Sequence, residues 1–202
     1  ASAVTRVLLA FVLLVAGAVS AEPPRAALGF RADLVREARA VWGLQAPVPV
    51  FAAQVHQESA WRVDARSPVG AEGLAQFMPL TGVWMTELYP AALGRDAQPF
   101  NPQWALRAMV RYDAWLHARV VGHTACDRFW AMLRAYNGGL GHWQAESRFA
   151  FDRGDRVSVD RWCGAARRAA VHCRENLDYP RRILTQHQVR YAAWGVQVTC
   201  DG

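Results

Sequence analysis

Trp104, Ala108, Tyr112 and Trp115 recur at i, i+4, i+8 and i+11, the spacing that lines side chains along one face of an α-helix. Asn101-Pro102 stands just before them, a capping residue followed by the residue whose fixed φ suits a first helical position. The spacing predicts a long helix from Pro102 with this stripe in the core. The same period recurs along the chain. Leu34, Ala38, Val41 and Trp42 mark a helix that ends before Gly43, and Pro47 and Pro49 open another near Val50. A further helix runs from about Asp127 to Ala135, ahead of the break Asn137-Gly138-Gly139. The last starts at Asp178, with Pro180 in its first turn, and continues to Gly195. Ala21–Gly29 reads as a Pro-containing lead-in, Asp152–Asp155 as a turn, and Gly141–Cys173 has no clear pattern. Alternating runs that would make strands are few. The fold class is therefore mainly α, and no linker divides residues 22–202.

The first 21 residues have the plan of a secretory signal: Arg6, the thirteen-residue apolar run Val7–Val19, then small residues at Val19-Ser20-Ala21. Thirteen residues fall short of the roughly 20 that span a bilayer, so no stable membrane span is expected once the signal is cleaved. No Cys follows the run, which removes the usual route to a lipid anchor. Cys126, Cys163, Cys173 and Cys200 make an even count in an exported chain, which favours two disulfides over metal ligation. Three pairings are possible; Cys163–Cys173 with Cys126–Cys200 is preferred because the first closes a short local loop. A periplasmic or otherwise exported address follows. The net charge of +6, carried entirely by Arg, suits an anionic polymer such as cell wall or nucleic acid. It equally suits a solvated cationic surface, so clusters such as Arg167–Arg168 and Arg181–Arg182 are not assigned as binding sites.

Glu58 is the candidate for acid/base chemistry. Phe51, Val55 and Glu58 fall at i, i+4 and i+7, so this carboxyl shares a helix face with apolar residues and points inward. It also lies near the helix C-terminus, where the macrodipole disfavours negative charge. Desolvation and dipole both push its pKa upward, as a general acid requires, and Trp61 is placed to dry the surroundings further. The competing reading is a core Glu satisfied by an Arg or by backbone N–H groups.

A compact run follows, Ser67-Pro68-Val69-Gly70-Ala71-Glu72-Gly73-Leu74-Ala75-Gln76-Phe77-Met78-Pro79-Leu80-Thr81. Gly70 and Gly73 permit a tight backbone path. Gln76 offers donor and acceptor to a sugar hydroxyl or acetamido group, and Met78 an adaptable apolar wall. Pro79 is expected to stop one short helix and Thr81 to cap the next. Glu58-Ser59 together with Ser67-x-x-Gly70-Ala71-x-Gly73-Leu74-x-Gln76-x-Met78-Pro79-x-Thr81 resembles the soluble lytic transglycosylase family. Ala135-Tyr136-Asn137-Gly138-Gly139 is similar to that family's A-Y-N-x-G motif, and Glu175-Asn176-x-x-Tyr179 with Ile183-Leu184 to its closing segment. The resemblance covers about residues 50–184 and implies a single lysozyme-like, mainly helical domain.

The resemblance implies Glu58 as catalytic acid/base and Ser67, Gln76, Met78, Tyr136 and Glu175 as cleft residues that grip the sugar or support the carboxyl. Tyr136 is expected to bond Glu58 or substrate through its hydroxyl, and Asn137 to shape its turn in a left-handed conformation. Glu175 either lines the cleft or pairs with Arg174 or Arg181; Glu72 is read as solvent-exposed. Three features depart from the family: the bulky Ala60-Trp61 corner, Pro180 after Tyr179, and the cysteine-bearing stretch 154–173. The implied reaction is cleavage of the MurNAc–GlcNAc bond of peptidoglycan with closure of a 1,6-anhydro ring. It needs no metal or cofactor, and its partner is glycan rather than nucleic acid. Two rivals remain open. A lysozyme-type muramidase needs a second carboxylate, for which Asp64 or Glu72 is available; a catalytically dormant wall-binding subunit needs none. A secretion or conjugation machinery is a possible assembly partner.

Overall fold

The computed structural model describes residues 22–165 and 170–200; the signal segment and the Arg167–Arg168 pair lie outside the described residues. Ten α-helices follow in order among these residues: α1 Arg25–Leu28, α2 Arg31–Trp42, α3 Val48–Ser59, α4 Pro79–Leu88, α5 Pro90–Leu93, α6 Pro102–His117, α7 Ala125–Gly138, α8 Leu140–Ser147, α9 Arg156–Asp160 and α10 Ala170–Arg181. A π-helical segment, Arg182–His187, and a 3₁₀ segment, Gln188–Trp194, continue from α10. Strand-type pairing among the described residues is confined to two isolated bridges, Arg66 with Glu72 and Glu72 with Phe77. The mainly α class holds.

Helix α3 is the centre of the core. Every residue from Val48 to Val55 is buried, the pattern of a helix enclosed on all sides rather than lying on a surface. It packs against the π and 3₁₀ segments, while α2 packs on α6 and α7 on α10. The α2–α6 seam includes a bond from Trp42 Nε1 to the Val110 carbonyl at 2.9 Å. At the start of α6, Asn101 accepts from the amides of Gln103 and Trp104, satisfying N–H groups that a helix start leaves bare. Trp104 and Ala108 are buried as expected. Tyr112 and Trp115 are only half-buried, because the stripe runs out from the core into an aromatic group with Trp84.

Several boundaries differ from the sequence-based expectation. The lead-in contains the short α1. Helix α7 begins two residues early, at a capping box in which Thr124 and Asp127 satisfy each other's backbone amides. Asn137 stays helical, and Gly139, at φ 90°, makes the break instead. Pro79 opens α4 rather than ending a helix, and Thr81 lies inside it. The largest difference is at the C-terminus. Pro180 sits in the last turn of α10, not in the first turn of a helix starting at Asp178. The earlier turns are pinned by the buried Arg134, whose Nε donates to Asn176 Oδ1 at 3.0 Å while Asn176 Nδ2 donates back to the Arg134 carbonyl at 2.8 Å. Arg134 also pairs with Glu146 and Asp160, at 2.6 and 2.8 Å. The disulfides are Cys126–Cys200 and Cys163–Cys173, the preferred pairing.

Candidate active site

Glu58 lies in the last turn of α3, and the chain leaves that helix by an unusual route. Ala60 and Trp61 both take left-handed backbone conformations, at φ 50° and 66°. Ser59 braces the exit: its hydroxyl donates to the Val55 carbonyl at 3.3 Å and accepts from the Trp61 amide at 3.1 Å. The indole of Trp61 is fixed in an aromatic group with Phe30, Tyr191 and Trp194, and its Nε1 donates to Tyr191 Oη at 2.7 Å. The bulky corner that departs from the family pattern thus serves as an anchor for the helix end.

The Glu58 side chain faces acids and hydroxyls. Tyr179 of α10 donates its hydroxyl hydrogen to Glu58 Oε1. Among the described residues no cation stands within ion-pair distance of the carboxyl, so the reading as a core Glu neutralised by Arg is not met. Burial pushes its pKa up to about 8; the Tyr179 bond works against that shift and the charge of Glu175 adds to it. A carboxylic acid with this pKa is mostly protonated at neutral pH and able to give a proton to a leaving oxygen.

The cleft residues expected from the sequence divide into groups. Tyr136 does not bond Glu58: its hydroxyl donates to the Ala75 carbonyl at 2.7 Å, tying α7 to the loop 71–77. The role foreseen for it belongs to Tyr179, which closed the third motif but was given no function. Gln76, at φ 50°, donates through Nε2 to the carbonyls of Ala65 and Gly73, at 3.2 and 2.9 Å. Both amide hydrogens are engaged inside the loop, which leaves its oxygen, among the described residues, as the group free to accept a hydrogen bond. Ser67 likewise shapes the loop, its Oγ accepting from the Ala71 amide at 2.9 Å. Gly73 is required there, since a Cβ would stand 1.7 Å from the Pro99 carbonyl oxygen. Met78 is exposed.

Glu175 is exposed and forms no pair with Arg181, which bonds Asp178 instead at 2.8 Å. It accepts from Asn137 Nδ2 at 3.5 Å and borders two surface cavities. One, of about 250 Å³, is lined by Gln57, Arg174, Asp178, Tyr179 and Arg182; the other, of about 240 Å³, by Asn137, Gly138, His142 and His172. Tyr179 therefore joins the first cavity to the Glu58 carboxyl. Glu72 is not solvent-exposed as expected: it is half-buried and pairs with Arg66 at 2.8 Å. Asp64 is exposed. Among the described residues no group of three or more His, Cys, Asp or Glu is arranged to hold a metal, and no helix is long and apolar enough to cross a membrane.

Sequence reasoning also missed Asp113 of α6 and Gln54 of α3, both fully buried and bonded to each other at 3.2 Å. Asp113 was readable as an acid within the buried run Met109, Val110 and Leu116. Gln54 sits one helical turn before Glu58.

Residues 36–158 match the family described as Transglycosylase SLT domain. The membrane-bound lytic murein transglycosylase F of Pasteurella multocida is 33% identical over 94 residues, covering 46% of this chain and 17% of the relative. The membrane-bound lytic murein transglycosylase F 2 of Alkalilimnicola ehrlichii is 34% identical over 109 residues, covering 54% and 22%. The chain thus spans about a fifth of the length of these curated relatives. The lytic transglycosylase Slt of Pseudomonas aeruginosa, in an inactive mutant, superposes with a TM-score of 0.61 at 23% identity, over 86% of this chain and 26% of that one. The 70-kDa soluble lytic transglycosylase of Escherichia coli gives 0.55, also at 23% identity, over 81% and 24%. These two likenesses agree in fold with the helical arrangement around Glu58. With the match over residues 36–158, the chain belongs to the transglycosylase SLT domain family.

Proposed function

We propose that this protein is a peptidoglycan lytic transglycosylase that cleaves the MurNAc-β-1,4-GlcNAc bond and leaves a 1,6-anhydroMurNAc end. The observation that carries the reading is the half-buried Glu58, held protonated near neutral pH, hydrogen-bonded to Tyr179 and one residue away from an open cavity. In the first step Glu58 gives its proton to the glycosidic oxygen as the C1–O bond of MurNAc breaks, and GlcNAc leaves as an alcohol. The N-acetyl carbonyl of MurNAc stabilises the positive charge at C1. Glu58, now a carboxylate, takes the proton of the MurNAc C6 hydroxyl as that oxygen bonds to C1. The acid is regenerated and no water is consumed. Tyr179 supports the carboxylate between the two steps by donating to it. Ser67, Gln76, Met78, Tyr136 and Glu175 build the walls, Gln76 through its free amide oxygen and Glu175 through its place between the two cavities.

A muramidase would need a second, ionised carboxylate poised to act at the sugar. Of the two carboxylates the sequence offers for that part, Glu72 is held by Arg66 and Asp64 lies in open solvent; Glu175 borders the cavities, and the mass of the products decides between the two routes. Mass spectrometry of digested sacculi tests the ring-closing route. Anhydro-ended products, lighter by one water than hydrolysed ones, are expected, and Glu58→Gln should release none. Hydrolysed ends, or undiminished release by Glu58→Gln, would overturn the assignment. The signal-like segment 1–21 and the two disulfides support an exported, periplasmic site of action. Work beside a secretion or conjugation apparatus is tested by pull-down from envelope fractions.

A further inference from the structure

One turn before Glu58 on α3, Gln54 meets Asp113 of α6, both at 0% exposure. Gln54 Nε2 donates to Asp113 Oδ1 at 3.2 Å. The remaining polar atoms of the same two side chains, Gln54 Oε1 and Asp113 Oδ2, are buried without a hydrogen-bond partner among the described residues. A buried acceptor with no donor is a costly feature, and a buried carboxylate with no counter-charge more so. Both deficits have one remedy: a proton on Oδ2 makes Asp113 a donor toward Gln54 Oε1 and removes its charge. The titratable groups that bear on Asp113 are all acids, namely Glu58 on α3, Tyr112 on its own helix, Tyr136 of α7 and Tyr179 of α10.

We propose that Asp113 is carried as a neutral acid whose Oδ2 proton is donated to Gln54 Oε1, closing a reciprocal acid–amide pair that positions α3 beneath Glu58. Burial raises the Asp113 pKa well above the ordinary carboxylate range, and the nearby Glu58 raises it further. The pair joins α3 to α6 by two hydrogen bonds without placing a second negative charge behind the reacting carboxyl. An ionised Asp113 would instead oppose every deprotonation of Glu58. The positioning role rests on the acid/base reading of Glu58; the protonation state of Asp113 does not.

Infrared spectroscopy separates the two. Glu58→Gln removes the other carboxyl of the cluster, so the difference spectrum between Glu58→Gln and Glu58→Gln/Asp113→Asn reports Asp113 alone. At pH 7 it is expected to show the C=O band of a protonated, hydrogen-bonded carboxyl; carboxylate bands in its place overturn the proposal. In the otherwise native chain, Asp113→Asn preserves reciprocal pairing and is expected to hold the basic limb of the kcat/KM profile within about 0.3 pH unit. Movement of that limb downward by about a unit or more, the signature of a lost negative neighbour, also overturns it. Asp113→Leu cannot pair and is expected to lower kcat on the order of tenfold with KM nearly unchanged; full kcat in that variant removes the positioning role. Should Glu58→Gln still cut glycan, the acid/base reading of Glu58 falls while the infrared band still decides the state of Asp113.

Discussion

Replacing Glu58 by Gln should destroy activity and stabilise the protein, by an amount that depends on pH in a prescribed way. The folded pKa of Glu58 is about 8 against an ordinary value of 4.5. A carboxyl raised on folding is disfavoured once the unfolded chain can ionise it. Its neutral form is therefore fully accommodated below the unfolded pKa, and stability is lost as pH climbs from 4.5 toward 8. At pH 4 both states are protonated and the native residue costs almost nothing. At pH 7 the unfolded side chain is ionised and the folded one is mostly not, a cost of about 3 kcal/mol; by pH 9 it reaches about 5 kcal/mol. Glutamine carries no charge at any of these values, and its carbonyl oxygen still accepts from Tyr179. Relative to the native protein, Glu58→Gln should thus gain nothing at pH 4 and about 3 kcal/mol at pH 7, which in a chain of this size raises Tm by roughly 6–12 °C. Urea unfolding followed by circular dichroism at pH 4, 7 and 9 measures the difference. A stability gap that stays constant across that range would show that Glu58 ionises freely in the folded state, and the general-acid argument would go with it.

Two further tests address the surroundings. Tyr179→Phe removes the donor that stabilises the Glu58 carboxylate; a hydrogen bond to a charged group contributes about 1.5–3 kcal/mol. The basic limb of the kcat/KM profile should therefore move up by about one to two pH units, whereas Tyr136→Phe, which frees only the Ala75 carbonyl, should leave it in place. Paired Cys→Ala replacements should rank by the loop each bridge closes. Separations of 74 and 10 residues correspond, on the chain-entropy account, to about 4 kcal/mol for Cys126–Cys200 and about 3 kcal/mol for Cys163–Cys173, readable as urea midpoints.

What the sequence disclosed follows from how local each signal is. Asn101-Pro102, Gly43 and the period of Trp104 and Ala108 act within one or two turns, and these elements form as their residues dictate. Thr124-x-x-Asp127 was an equally local capping signal, legible but overlooked. Pro180 misled because its preference for a first turn is also local, while the position of α10 is settled by Arg134 reaching across 42 residues to Asn176. The site shows the same division. The inward direction of Glu58 follows from its spacing to Phe51 and Val55. Which tyrosine meets it depends on how α7 and α10 cross, and no short motif encodes that. The mate of Gln54, 59 residues away on α6, was hidden for the same reason.

The position of the acid is over-determined from behind. Two successive left-handed residues that are not glycine, Ala60 and Trp61, each cost on the order of 1–3 kcal/mol, and such backbone persists only where its surroundings compel it. Here the compulsion comes from the far end of the chain: Tyr191 accepts the Trp61 indole hydrogen and Trp194 packs against its ring. Those residues belong to the 3₁₀ segment that also covers α3. The segment continues from α10, which carries Tyr179. A single C-terminal run therefore holds the backbone exit of α3 at one end and the Glu58 carboxyl at the other. Fixing both from one element keeps Glu58 and its hydrogen-bond donor in register with each other.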